Sequence, residues 1–165
     1  MIIVSDTTPL HYLILIDEAE LLPSLFDEII VPSAVLQELS HERTPEKVFD
    51  WIQNRPAWVQ IKSAPEDVVR KITGLGKGET EAIAIAIEEN ADAVLMDDKK
   101  AIREARVRGL TVITMFGILE LASAKNFIDL AVTLDKISKT NFRLPSKEII
   151  EEILSRDRSR KSDPH

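Results

Sequence analysis

The chain opens on an apolar, β-branched run, Ile2 to Val4, that stops abruptly at Ser5-Asp6-Thr7-Thr8. A short apolar run cut off by polar residues reads as a buried strand. Thr7 or Thr8 ahead of Pro9 has the form of an N-cap and a first-turn proline, and predicts a helix over about 9–16. A second short helix is expected near 17–24. The pattern then recurs. Ile29-Ile30-Val31 predicts a second strand, followed by a helix over 32–41 with Val35, Leu36 and Leu39 on one apolar face. Thr44-Pro45-Glu46-Lys47 starts a helix that carries Val48, Phe49 and Ile52, and the alternation in Trp58-Val59-Gln60-Ile61 fits a short edge strand.

The stretch from Gly74 to Asp98 says most. Gly74, Gly76 and Gly78 mark an open loop, residues 79–89 read as an Ala- and Ile-rich helix, and Ala93-Val94-Leu95-Met96 is a buried strand that ends at Asp97-Asp98. A helix over 99–108, Gly109 as its stop and a strand over 111–114 follow. Three further helices are expected near 116–124, 127–138 and 146–155, then a polar, frayed tail from Arg156 to His165. Strands alternating with helices predict an α/β fold, a mostly parallel sheet with helices on both faces. With no repeat, linker or low-complexity tract, one domain over 1–155 is expected.

Composition narrows the function. The 165 residues are 44% hydrophobic and 30% charged, a globular balance. There is no Cys, which excludes a disulfide scaffold, a thiolate zinc site and a Cys nucleophile. No apolar run approaches the roughly 20 residues that span a bilayer. The first residues lack the basic region and cleavage site of a signal peptide. A cytoplasmic protein without membrane contact is expected. The net charge of −7 argues against binding nucleic acid by bulk charge, though not against a local basic patch.

The acids fall in a pattern. In an open parallel sheet, sites form at the carboxyl ends of strands. Asp6 follows the first strand and Asp97 with Asp98 follows a later one; Glu79 starts the helix feeding that later strand, and Glu38 lies on the helix after the second. Carboxylates gathered in one place repel unless a cation offsets them. Oxygen ligands suit a hard ion such as Mg²⁺, which keeps waters and takes up phosphate oxygens. Such an ion activates water and steadies a leaving oxygen in attack on phosphorus. Ser5 and Thr7 flank Asp6, and their hydroxyls are candidates to hold its carboxylate or an ion-bound water.

Four segments resemble the PIN-domain ribonucleases, the family that includes VapC-type toxins. They are Ile3-Val4-Ser5-Asp6-Thr7-Thr8-Pro9-Leu10, Pro32 to Leu39 (PSAVLQEL), Gly76 to Ala86 (GKGETEAIAIA), and Val94-Leu95-Met96-Asp97-Asp98 with the basic helix and Gly109-Leu110-Thr111-Val112 behind it. The resemblance covers roughly residues 1–130, and is closest to a PIN-like branch known mainly from prokaryotic sequence families. It implies a three-layer α/β/α sandwich and an endoribonuclease dependent on Mg²⁺ or Mn²⁺. It carries the four acidic positions onto Asp6, Glu38, Glu79 and Asp97. The resemblance extends to a toxin role, a protein antitoxin and a homodimer, none of which one chain displays. Two choices stay open. Glu81 rivals Glu79 from about 200° around the helix. After the last strand of the motif, Asp97 alone or Asp97 with Asp98 faces the ion, because the Thr-x-Asp common in the toxins is missing.

Each signal has a plainer reading. Asp6 and Asp98 can be helix caps, Glu38 a solvated face residue, and Glu79 a first-turn acid favoured by the helix dipole. Lys99, Lys100, Arg103, Arg106 and Arg108 against Glu104 give one helix a local charge of +4 in an acidic chain. Lys99, Lys100, Arg103 and Arg106 are the candidate RNA contacts; an ordinary solvated face is the alternative. Arg156, Arg158, Arg160 and Lys161 read first as a solubilising end, and Trp51 and Trp58 as packing rather than base stacking. Gly76-Lys77-Gly78 lacks the spacing of a nucleotide-binding loop, and the three His have no triad partners. Two other function classes stand beside the nuclease. One is a PIN-like module that binds RNA or protein without cutting. The other is a different Mg²⁺-dependent phosphohydrolase, disfavoured because Thr8 stands where a dehalogenase-type enzyme needs a second Asp.

Overall fold

The computed structural model describes residues 1–163. The chain divides into two compact units, Met1–Met115 and the remainder from Phe116 on.

The first unit holds the sheet. Its elements are β1 (Ile2–Ser5), α1 (Thr7–Leu15), α2 (Leu21–Leu25), β2 (Glu28–Pro32), α3 (Ser33–Leu39), α4 (Glu46–Gln53), β3 (Val59–Lys62), α5 (Glu66–Val69), α6 (Lys77–Glu88), β4 (Ala93–Leu95), α7 (Lys99–Val107) and β5 (Val112–Ile113). The five strands run parallel in the order β3-β2-β1-β4-β5. β1 is therefore central, and β3 is an edge strand, as its alternating pattern predicts. Val4, Ile30 and Val94 pack with Ala82 to Ala86 of α6 and with Ala101 and Ala105 of α7. Their strand neighbours Ile3, Ile29, Val31 and Leu95 point to the other face and are no more than 1% exposed. Burial on both faces is why these strands read as continuous apolar runs.

Boundaries differ from the sequence reading where local chemistry decides. Asp6, not Thr7 or Thr8, is the N-cap residue of α1. α6 starts at Lys77, because Gly76 is its cap and Glu79 closes the first turn. α5, a single turn after Pro65, was not foreseen.

The second unit contains the rest of α8 (Met115–Ala124), which begins at the boundary, α9 (Leu130–Ser138) and α10 (Lys147–Ser162). α9 starts three residues later than the pattern indicates. Asn126 turns the chain at φ 59°, and Asp129 caps the helix by accepting from Val132 N at 3.2 Å. The expected frayed tail is helical as far as Ser162. Arg156 and Arg160 both pair with Glu120, and Lys161 pairs with Asp157 one turn back, so the polar residues are anchored.

Candidate active site

β1 and β4 are parallel neighbours, with Ser5 opposite Leu95. Asp6 continues the ladder by one bond, its N–H donating to Leu95 O at 2.9 Å. The residues that follow both strands therefore emerge side by side at one edge. That edge lies where the strand order reverses, between β1 and β4, the general place for a site in an open parallel sheet.

Asp6 is 4% exposed, and its side chain caps no helix N–H. Burial, together with the charges of Glu79, Glu38 and Asp97, pushes its carboxyl up to about 7 against a downward pull from the Thr7 N–H. The other three acids expected to meet thus act on the buried carboxyl of Asp6. Asp97 Oδ1 accepts from Met115 N at 3.0 Å, while its Oδ2 is buried with no partner. Burial raises this carboxyl as well, and the Met115 N–H opposes the rise. Glu38 Oε1 accepts from Gly78 N at 3.0 Å, and its Oε2 accepts from the Thr7 hydroxyl. Glu79 Oε2 reaches back to Gly76 N at 3.1 Å, one bond of a capping box that fixes the side chain at the start of α6.

Other residues are placed differently. Asp98 is exposed and caps α7, its Oδ1 accepting from Ala101 N at 3.0 Å. Its carboxylate has the plainer role and leaves the set around Asp6. Glu81 points to the start of α3, not to Asp6, accepting from Ser33 Oγ at 2.7 Å and Ala34 N at 3.0 Å. The Ser5 hydroxyl donates to the Asp6 backbone carbonyl at 3.0 Å, so it does not hold the carboxylate. Thr7 does hold a carboxylate, but that of Glu38. Sequence reasoning missed Gly78, whose N–H fixes Glu38 and where a Cβ would lie 2.8 Å from Glu38 Oε2. The available signal was a glycine one residue before Glu79.

Lys99, Lys100, Arg103 and Arg106 are all exposed on α7, directly after Asp97 and Asp98. Lys100 Nζ lies over Gly74, 3.4 Å from where a Cβ would stand, which brings that cation beside the loop leading into α6. Arg108 is different: it pairs with Glu104 and donates to Lys71 O at 2.9 Å. Trp51 and Trp58 pack on each other, ring centres 5.7 Å apart, and both are half-buried.

A family model described as DUF3368: PIN domain matches residues 2–159. The chain belongs to the PIN-domain family. Among solved structures, a PilT N-terminus domain protein from the hyperthermophilic archaeon Sulfolobus solfataricus P2 shares the fold at TM-score 0.50 and 19% identity, over 88% of this chain and 100% of that one. No curated protein matches the chain. PIN domains are in general nucleases that use divalent metal ions. The acidic edge of this PIN domain suits such an ion: a buried carboxyl oxygen of Asp97 has no partner, and Asp6 is surrounded by like charge. Among the described residues no three His, Cys, Asp or Glu stand close enough to form a ready cage. A small hard ion needs only one or two protein carboxylates, its remaining positions going to water and substrate oxygens. No helix among the described residues is long and apolar enough to cross a membrane.

Proposed function

We propose that this PIN domain is an endoribonuclease that hydrolyses RNA phosphodiester bonds with Mg²⁺ or Mn²⁺ bound at the site formed by Asp6, Glu38, Glu79 and Asp97. The observation that carries the reading is the bare, buried Oδ2 of Asp97 beside a buried Asp6 whose carboxyl is raised to about 7. Holding a carboxyl in that state is unfavourable for the fold alone, and is relieved when a cation shares the pocket. The bound ion would supply a nucleophilic water and stabilise charge on the phosphate oxygens. Asp6 and Asp97 are suited to be direct ligands: Asp6 is buried among like charges, and Asp97 has a buried oxygen with no partner. Glu38, both of whose oxygens already accept protein hydrogen bonds, is suited to an outer position where it orients water. Glu79, fixed by its bond to Gly76, adds negative charge from the start of α6.

The exposed cations of α7 serve a second need. RNA carries its own negative charge toward an acidic pocket, and Lys99, Lys100, Arg103 and Arg106 offset that repulsion by contacting phosphates. A toxin role, an antitoxin partner and a homodimer belong to the same proposal through the family. Co-purification with the product of a neighbouring gene, and light scattering, test them.

The deciding experiment incubates the purified protein with single-stranded RNA in Mn²⁺, in Mg²⁺ and in chelator. Cleavage with either ion, abolished by chelation and by Asp6→Asn or Asp97→Asn, supports the nuclease. RNA bound equally well under chelation, with no cleavage in either ion, assigns a binding module instead.

A further inference from the structure

Glu81 is an acid of the motif that the proposed site does not use. Both of its hydrogen bonds go to the first two residues of α3, Ser33 Oγ at 2.7 Å and Ala34 N at 3.0 Å. The start of α3 has no cap of its own, since its N-cap residue is Pro32 and no side chain there accepts a bond. The first N–H groups of any helix lack partners within it. A carboxylate from α6 thus does for α3 what a local Ser or Asp does elsewhere. Ser63 Oγ donates to Ser33 Oγ at 2.8 Å, so the serine hydroxyl is oriented to donate onward to Glu81.

The other grip lies near the far end of the same helix. Glu38 Oε1 accepts from Gly78 N at 3.0 Å, and Gly78 and Glu81 belong to one turn of α6. α6 therefore holds α3 at two points: where the helix starts, and at the acid it carries. A helix of seven residues has little stability of its own. Where its first turn is pinned decides where Glu38 comes to lie.

We infer that Glu81 is a positioning residue: by capping α3 from α6 it fixes Glu38 against Gly78, and it is not itself an ion ligand. The inference rests on the proposed metal site for its consequence, though not for its geometry. It also settles the rivalry between the two acids of the Gly-Glu-Thr-Glu segment: Glu79 turns to the pocket, and Glu81 to the scaffold.

The test uses the intact protein and two readouts. The first is Mn²⁺ affinity by calorimetry. Glu81→Ala should weaken binding about tenfold, the usual effect of losing a group that orients a ligand. Glu81→Gln, whose amide oxygen still accepts both bonds, should stay close to wild type. On a Glu38→Gln background, Glu81→Ala should add little, because both act through one side chain. The second readout needs no metal: NMR of the Ala34 and Gly78 amides. Glu81→Ala should speed exchange at Ala34 and shift Gly78, with Glu81→Gln as the control for local effects. Ser33→Ala is the milder variant should Glu81→Ala fold poorly, and should move both readouts in the same direction. Glu81→Gln as damaging as Glu81→Ala makes Glu81 a ligand and overturns the inference. So does a melting temperature that falls while Mn²⁺ affinity and the Gly78 amide stay put. A wild-type protein that binds no Mn²⁺, yet shows the amide changes, removes the metal site and leaves the positioning role standing.

Discussion

At the scale of single residues, Asp6 carries the largest electrostatic strain. Its ordinary value near 3.8 is raised to about 7 by burial and by the neighbouring acids. A carboxyl that holds its proton more tightly when folded favours folding at low pH, and that advantage is lost as pH rises from about 4 to 7. Metal-free Asp6→Asn should therefore be more stable than wild type at pH 8, on the order of 4 kcal/mol, with the gap closing toward pH 4. Thermal melts across that range in chelator check this, and a gap independent of pH contradicts the picture. Gly78 makes the complementary case. Alanine there would place Cβ 2.8 Å from Glu38 Oε2 and 2.9 Å from Oε1, but these atoms end a flexible side chain. Gly78→Ala should leave stability within about 1 kcal/mol of wild type or raise it, while displacing Glu38 and weakening Mn²⁺ binding. Melting and calorimetry on the same sample separate the two effects. Legibility at this scale was uneven. Asp6 and Asp97 could be read, because each ends an apolar run. Helix phase alone could not choose Glu79 over Glu81, because it gives two directions without saying which one meets the pocket; the family resemblance is what favoured Glu79. Only the approach of α3 decides it.

At the scale of elements, α7 joins the acidic edge to a basic face. Arg108 is tied to Glu104 and Lys71, leaving Lys99, Lys100, Arg103 and Arg106 as the exposed cations. Arg103→Glu should weaken RNA binding and reduce the slope of log K against log salt by about 1. Filter binding at several salt concentrations measures this, and an unchanged slope returns the face to ordinary solvation. The elements themselves were mostly legible, since buried parallel strands and an Ala-rich buried helix leave strong patterns. The misses have physical causes. α5 is one turn long, too short to show a period. The end of α10 looks like a solvated tail in sequence, because the acid that anchors its arginines, Glu120, lies on another helix.

At the scale of the whole molecule, every proposed ligand lies in the first unit. Ion binding and the folding of that unit should therefore be linked. Mn²⁺ at a hundredfold excess over its Kd should stabilise wild type by about 2.7 kcal/mol, and Asp6→Asn or Asp97→Asn should lose most of it. Calorimetric melts with and without the ion read the difference. The strand order could not be read from the sequence, and it is what turns scattered acids into neighbours.

The central place of β1 has one more consequence. Its partner β2 is made soon after it, but β4, the partner that brings Asp97, comes much later in the chain. A growing polypeptide on the ribosome that has not passed β4 holds Asp6 without its counterpart. The proposed pocket therefore needs β4 as well as β1, and a product that ends before Asp97 lacks one of its acids.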